Sequence, residues 1–68
     1  MTLLSTREVA GRIRVPEATL RYWRHRNLGE GPPSFRLGPR RVVYAEDKLI
    51  AWVTGQEAAE ISRRRGFA

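Results

Sequence analysis

Residues 15–26 read VPEATLRYWRHR, and their pattern predicts a single amphipathic helix. Pro16 suits the first helical position, because the N–H that it lacks would have no partner there. Glu17 complements the positive end of the helix dipole. At about 100° per residue, one side of this helix carries Leu20, Trp23 and Asn27. The opposite side carries Ala18, Arg21, Tyr22 and His25. We therefore predict a helix from Pro16 to about Arg26 that packs through its apolar side and stops at residues 27–29.

A shorter helix is predicted before it. Ser5-Thr6-Arg7-Glu8 is a capping-box pattern, in which the Ser5 side chain accepts from the N–H of Glu8 and the Glu8 side chain reaches back to the N–H of Ser5. Leu4 stands just before the cap, where it can pack on the first turn. The apolar positions of this helix are Val9, Ala10 and Ile13. We expect it to end between Gly11 and Arg14.

Two short apolar runs around a Gly-Pro pair predict a β-hairpin. The strands cover residues 34–37 and 42–44, on either side of the turn Gly38-Pro39. The side chains expected to face the core are Phe35, Leu37 and one of Val42 and Val43. Tyr44 is expected to close the core at the base of the hairpin. The cations are Arg36 on a flank and Arg40 and Arg41 at the tip.

A third helix is predicted from Ala45 onward, with Glu46 and Asp47 in its first turn. Its buried stripe consists of Leu49, Trp52 and Val53, with Ile50 at the edge. Trp23 and Trp52 could be platforms for base stacking, but helical spacing places both on buried stripes, so core positions are expected. The predicted stop is Thr54-Gly55. The chain thus divides into a domain of residues 1–54 and a basic tail of residues 55–68, either a short helix or disordered.

Composition narrows the class of function. Thirteen Lys and Arg against seven Asp and Glu give the 68 residues a formal net charge of +6. Twelve of the thirteen cations are Arg, whose planar fork of donors matches phosphate oxygens and the guanine edge. Zero Cys excludes disulfides, a Cys-based zinc site and a thiol nucleophile, and His25 alone cannot hold a metal. We expect a nucleic-acid partner and no enzyme activity, cofactor or metal.

The sequence carries no membrane or export signal. No apolar run approaches the ~20 residues of a membrane span. The N-terminus lacks the basic and apolar regions of a signal peptide. We therefore expect a cytoplasmic protein without membrane contact.

The motifs, taken in this order, also carry a family resemblance. The residues concerned are Ala18 to Arg26, Gly31 to Pro33, Arg36 to Gly38, Arg40 to Val42, Tyr44, Asp47, Ala51 and Trp52. From Leu3 to about Val53 the chain resembles the excisionase-type domains of the MerR-like winged-helix superfamily. The likeness is closest to small phage excisionases, or recombination directionality factors (Xis), particularly those of mycobacterial phages. It implies a mainly α fold with a small β-hairpin: a winged helix-turn-helix of three short helices plus the wing. MerR regulators proper also carry a long dimerisation helix and an effector domain; neither is expected here, nor is a small-molecule effector.

The resemblance implies that the second helix enters the major groove and that the wing contacts the DNA alongside. The groove-facing candidates are Glu17, Ala18, Arg21, Tyr22 and His25. The candidates for backbone contact beside them are Thr19 and Arg24. The wing candidates are Arg36, Arg40 and Arg41. The tail candidates, for contact with DNA or a partner protein, are Arg63, Arg64 and Arg65.

Each candidate also has a plainer interpretation. Glu17, at a helix start, is at least as often a dipole partner as a base contact. Arg21 and His25 could simply be solvated, and Arg40 and Arg41 could protect a strand edge. Basic tails often bind polyanions without specificity.

The resemblance implies an excisionase, a non-enzymatic factor that binds repeated sites near a phage attachment site, bends the double-stranded DNA and directs a tyrosine integrase toward excision. Its partners would be DNA, the integrase and neighbouring copies of itself, in the host-cell cytoplasm. The alternative is a small phage or bacterial transcriptional regulator of the same fold. A third hypothesis is an adaptor or antitoxin-like protein that uses its basic face on an acidic protein.

Overall fold

The computed structural model describes residues 1–26 and 30–65, with the side chains of the last stretch described through residue 64. The helices are α1 (Thr6–Ile13), α2 (Glu17–Arg26) and α3 (Glu46–Arg65). The strands β1 (Leu3–Leu4), β2 (Phe35–Leu37) and β3 (Arg41–Ala45) form an antiparallel sheet in the order β1-β3-β2. The predicted class is thus confirmed at the level of helices with a small antiparallel sheet, a layout consistent with a winged helix. The predicted stop of the second helix at residues 27–29 lies outside the described residues.

The predicted capping box starts α1. Ser5 Oγ accepts from the Glu8 N–H at 3.1 Å, and Glu8 Oε1 accepts from the Ser5 N–H at 3.0 Å. The backbone hydrogen bond from Ser5, followed by the one from its side chain, lowers the pKa of the exposed Glu8 carboxyl. Arg14 ends the helix in the left-handed conformation, at φ 57°. The predicted capping box therefore sets the start of α1, and the end of the helix at Ile13 lies within the predicted range.

α2 begins one residue after the predicted start. The Pro16 carbonyl accepts from the N–H groups of Thr19 and Leu20, at 3.0 and 3.3 Å. Leu20 is 1% exposed, and Trp23 is half-buried with its ring 6.2 Å from that of Trp52. Both tryptophans are half-buried and pack against each other, so neither is an exposed stacking platform. The core cluster, against which Trp23 packs, consists of Leu4, Val9, Leu20, Tyr44 and Leu49.

The hairpin forms with the expected turn, but its inward face is not the predicted one. Phe35 pairs with Val43 and Leu37 with Arg41, and Phe35 and Leu37 are 44% and 46% exposed. The opposite face of β3 carries Tyr44, which pairs with Leu4 and is buried in the core. Because side chains alternate along a strand, Phe35 and Leu37 lie on the face away from Tyr44. The prediction that these two side chains face the core is therefore wrong.

The two valines of β3 lie on different faces of the sheet. Val43 is buried, 7% exposed, on the face of Phe35. Val42 is half-buried and packs against the core cluster on the face of Tyr44. Tyr44 itself is 1% exposed, so its predicted place at the base of the hairpin is confirmed.

α3 does not stop at Thr54-Gly55 and is not short: it continues to Arg65. One Gly inside a helix costs only about 1 kcal/mol relative to Ala, and the residues that follow Gly55 are mostly good helix formers. Glu60 adds ion pairs to Arg63 at 3.3 Å and to Arg64 at 3.4 Å. Residues 56–65, predicted as a separate short helix or as disordered, are therefore the second half of α3.

The buried stripe of α3 is shorter than predicted. Leu49 is 3% exposed and Trp52 is half-buried, but Val53 is 42% exposed. From Val53 to Arg64 every side chain is exposed. We call residues 53–65 the distal half of α3. None of the helices in the described ranges is long and apolar enough to cross a membrane.

Two glycines give a matched pair of stability predictions. A Cβ on Gly31 would lie 2.7 Å from Cε3 of Trp23, whereas a Cβ on Gly11, inside α1, meets nothing within 4 Å. Gly31→Ala should therefore lower the free energy of unfolding by about 1–3 kcal/mol through overpacking. Gly11→Ala should raise it by about 0.5–1 kcal/mol through reduced backbone entropy of the unfolded chain. Urea unfolding followed by circular dichroism measures both, and equal midpoints for the two variants would contradict the close packing of Gly31 on Trp23.

Candidate nucleic-acid interface

The outer side of α2 is exposed and basic. Its exposed side chains are Ala18, Arg21, Tyr22, His25 and Arg26. Thr19 is half-buried. The side predicted to face a groove is thus free of contacts with the core. Arg26 belongs to this surface although the sequence did not single it out as a site residue; its spacing of four from Tyr22 was the available signal.

Arg21 is held by an acidic neighbour one turn earlier. Its Nη2 donates to Glu17 Oε1 at 3.1 Å. The two side chains are 62% and 38% exposed, so water screens the pair, and such i,i+4 pairs are worth only about 0.3–0.5 kcal/mol. The contact orients the guanidinium and contributes little to stability.

Arg26 is held in a similar way on the other flank of the same surface. Its Nη1 donates to the Tyr22 hydroxyl at 2.9 Å, and its Cζ lies 5.4 Å from the centre of the Tyr22 ring. Its Nε lies 3.5 Å from Glu30 Oε1. The helix therefore presents two oriented guanidinium groups, with His25 between them.

Arg24 is turned inward. Its Nη1 donates to Thr6 Oγ1 at 2.7 Å and to the Tyr44 hydroxyl at 2.9 Å, and its Cζ lies 5.9 Å from the centre of the Tyr44 ring. Thr6 begins α1 and Tyr44 belongs to β3, so one side chain of α2 joins the first helix to the hairpin. The prediction that Arg24 contacts the DNA backbone places it on the exposed flank, whereas its guanidinium is half-buried among these partners.

Removing the Arg24 side chain should destabilise the fold more than removing an exposed arginine of the same helix. Arg24→Ala leaves the hydroxyl of the buried Tyr44 without its partner, which costs about 1–3 kcal/mol. Arg26→Ala, whose contacts are exposed, should change the free energy of unfolding by less than about 0.5 kcal/mol. Urea unfolding compares the two.

A second substitution tests the hydrogen bond itself. In the Tyr44→Phe background no hydroxyl remains to be orphaned, so Arg24→Ala should cost less there than in the wild type. Full additivity of the two substitutions would show that the 2.9 Å contact between Arg24 and Tyr44 contributes nothing.

The hairpin presents three exposed arginines. Arg40 lies in the turn, Arg41 opens β3 and pairs across the sheet with Leu37, and Arg36 pairs with Val42. Alternation along the strands therefore places Arg36 and Arg41 on opposite faces, with Arg40 at the tip between them. Within the described part of the chain, none of the three forms an ion pair, unlike Arg21 and Arg26. We call Arg36, Arg40 and Arg41 the wing cations.

The tail candidates lie at the end of α3. Arg63 and Arg64 are exposed and share Glu60 as an ion-pair partner. Arg65 is the last residue of the helix, and its side chain lies outside the described set. Cations at a helix C-terminus complement the dipole, so these residues have a structural role in addition to any contact with a partner.

The exposed arginines on α2 and at the hairpin tip carry hydrogen-bond donors. Phosphate oxygens and the guanine edge carry the matching acceptors. Both surfaces are anchored to the same core through Leu20 and Tyr44. Comparison of the chain with protein-family models, with curated proteins and with solved structures finds no match.

Proposed function

We propose that this chain is a sequence-specific, double-stranded DNA-binding protein of the excisionase type, with a MerR-like winged helix-turn-helix. It binds repeated sites near a phage attachment site in the host-cell cytoplasm, bends the duplex and directs a tyrosine integrase toward excision. The observation that carries the DNA-binding part is the presence of two exposed basic surfaces on one core. α2 presents Arg21, Tyr22 and His25, and the wing cations stand on a hairpin tied to α2 through Arg24 and Tyr44.

In this proposal α2 is the recognition helix. The major groove admits one α-helix, and a guanidinium can donate two hydrogen bonds to the O6 and N7 of guanine. Arg21 fits that role, because its guanidinium is oriented and 62% of its side chain is exposed. Tyr22 donates its hydroxyl to a phosphate, and the small Ala18 allows close approach to the bases.

The wing supplies the contacts that do not depend on sequence. Phosphate contacts fix the position of a protein on the duplex, and each one releases condensed counterions. The wing cations suit this role because they carry no intramolecular ion pair in the described residues. The charge on the hairpin tip is therefore available to the backbone beside the groove that α2 occupies.

Assembly on DNA is the part of the proposal that concerns affinity. A single module of this kind buries roughly 600–1,000 Å² on DNA, which gives modest affinity alone. Copies bound side by side at repeated sites add contacts with each other and bend the intervening duplex. The distal half of α3, exposed along its length, is the segment that reaches the neighbouring copy or the integrase.

DNA binding is tested with a duplex that the wild-type chain selects from a random-sequence library, beside an unrelated duplex of equal length. Affinity should fall steeply with salt. Arg21→Ala should weaken binding to the selected duplex by roughly 1–3 kcal/mol and should change binding to the unrelated duplex less. Lys48→Ala, which removes an exposed cation outside the interface, is the matched control and should leave the preference unchanged. If no duplex is selected and binding shows no salt dependence, DNA binding is refuted in favour of an acidic protein partner.

The excisionase role is tested in a purified excision reaction with a tyrosine integrase from the same source and DNA carrying the two attachment sites. The intact chain should stimulate excision, and Arg21→Ala should stimulate it less at equal concentration. Selective DNA binding without any stimulation would instead identify a transcriptional regulator of the same fold.

A further inference from the structure

Glu17 is the only carboxylate on α2, and it stands beside the residue proposed to read bases. Its side chain is 38% exposed and its Oε1 lies 3.1 Å from Arg21 Nη2. A carboxylate on a surface that binds DNA repels every phosphate, whatever the base sequence. Such a residue weakens DNA binding unless it also contributes to the recognition of bases.

The pair also limits what Arg21 can bind. A guanidinium has five N–H donors, and the Nη2 contact with Glu17 leaves donors on Nε and Nη1 for a ligand. Beside the carboxylate, the positive charge of Arg21 is partly offset, so a phosphate attracts it less than it would attract an unpaired guanidinium. Hydrogen bonds to a guanine edge remain possible, because O6 and N7 are neutral acceptors.

The spacing of the two residues fits base pairs that lie two steps apart. Four residues of α-helix rise about 6 Å, close to the rise of two base-pair steps at about 3.4 Å each. A carboxylate accepts from cytosine N4 while a guanidinium donates to guanine. The Glu17–Arg21 pair is therefore complementary to bases and poorly suited to the backbone.

We infer that Glu17 is a specificity-determining residue that acts through Arg21: its charge weakens the attraction of the guanidinium to phosphates, and its hydrogen bond orients the guanidinium for a guanine edge. This inference rests on the proposal that α2 binds duplex DNA. It predicts that Glu17 lowers the affinity for unrelated DNA. It also predicts that Glu17 raises the ratio of the affinity for the selected duplex to the affinity for the unrelated duplex. A carboxylate that served only as a helix-dipole partner would lower the affinity for both duplexes alike and leave the ratio unchanged.

The test measures that ratio for Glu17→Gln, using the selected and unrelated duplexes in fluorescence anisotropy titrations at several salt concentrations. Binding to the unrelated duplex should become tighter, with a salt slope steeper by about 0.9, because Arg21 gains a phosphate contact. The ratio should fall about two-fold, the change that corresponds to losing one exposed i,i+4 ion pair. In the Arg21→Ala background, Glu17→Gln should leave the ratio unchanged, because the residue through which it acts is missing.

Two further variants separate this role from simpler ones. Glu30→Gln removes the same charge from a side chain with the same 38% exposure that pairs with Arg26 at 3.5 Å, so it should shift both affinities together and keep the ratio. Glu17→Asp keeps the negative charge at the start of α2 and can still pair with Arg21 at i,i+4. It should therefore keep the ratio that Glu17→Gln loses; loss of the ratio in both variants would show that the charge is not what discriminates, which overturns the inference.

The outcomes distinguish the inference from the function on which it rests. If the wild-type chain selects no sequence, the proposed function fails and the inference fails with it. If the wild type discriminates but Glu17→Gln and Glu30→Gln leave the ratio equally unchanged, only the role of Glu17 is overturned. Thermal unfolding of each variant shows that the compared proteins are folded.

Discussion

Replacing Tyr44 with alanine is expected to destabilise the chain by about 3–5 kcal/mol. Tyr44 is 1% exposed, among the largest fully buried side chains, and it packs in the cluster that contains Leu4 and Leu20. Truncating a buried aromatic costs about 3–5 kcal/mol. A domain of this length is stable by roughly 3–10 kcal/mol, so from about a third to all of its stability would be lost. The loss of the hydroxyl also leaves Arg24 without one of its two acceptors.

Two control variants separate the contribution of the buried ring from that of the hydroxyl and from the effect of removing any tyrosine. Tyr44→Phe keeps the ring and should cost only about 1–2 kcal/mol, for one hydrogen bond. Tyr22→Ala removes the same side chain from a position that is 53% exposed and should change the free energy of unfolding little. Circular dichroism across a urea series reports all three. A Tyr44→Ala protein that unfolds cooperatively at the wild-type midpoint would show that the hairpin base does not belong to the core.

Replacing both Arg40 and Arg41 with alanine is expected to weaken binding to every duplex alike. Each phosphate contact contributes about 0.9 to the slope of log affinity against log salt, so the slope should become shallower by about 1.8. Discrimination between selected and unrelated duplexes should be preserved, because phosphate contacts carry no direct sequence information. Both side chains are exposed, so the free energy of unfolding should change by less than about 0.5 kcal/mol.

The matched control for the wing removes two charges elsewhere. Arg7 and Lys48 are exposed, and Arg7→Ala with Lys48→Ala lowers the net charge by the same amount as the wing variant. If the effect comes from contact, only the wing variant changes the slope; equal slopes in the two double variants would attribute the effect to overall charge and remove the wing from the interface.

The elements that sequence predicted correctly are those with local causes. Ser5 and Glu8 cap α1 through two hydrogen bonds across three residues, and Gly38 takes a φ of 77° in the predicted turn. Neither feature depends on the rest of the chain. The failures depend on tertiary packing. Alternation showed that Phe35 and Leu37 share a face, but which face of the sheet the helices cover is set by Tyr44.

The same distinction holds for the candidate interface. Helical periodicity was sufficient to place Arg21, Tyr22 and His25 on one exposed side. It could not show that Arg24 is turned inward, because its partners lie 18 and 20 residues away in the chain. Glu17 was already a candidate, but its hold on Arg21 became visible only with side-chain geometry. Whether these residues contact DNA remains a prediction that the binding experiments test.

The continuity of α3 through Gly55 has a consequence for the phase of its distal half. The first half of the helix is anchored by Leu49, so the direction in which each later side chain points is determined relative to the core. Deleting one residue near Gly55 would turn every following side chain by about 100° and draw it back by about 1.5 Å. Ile61 and Glu60 would then face a different direction without any change in their own sequence. A partner of the distal half would be sensitive to helix length as well as to residue identity.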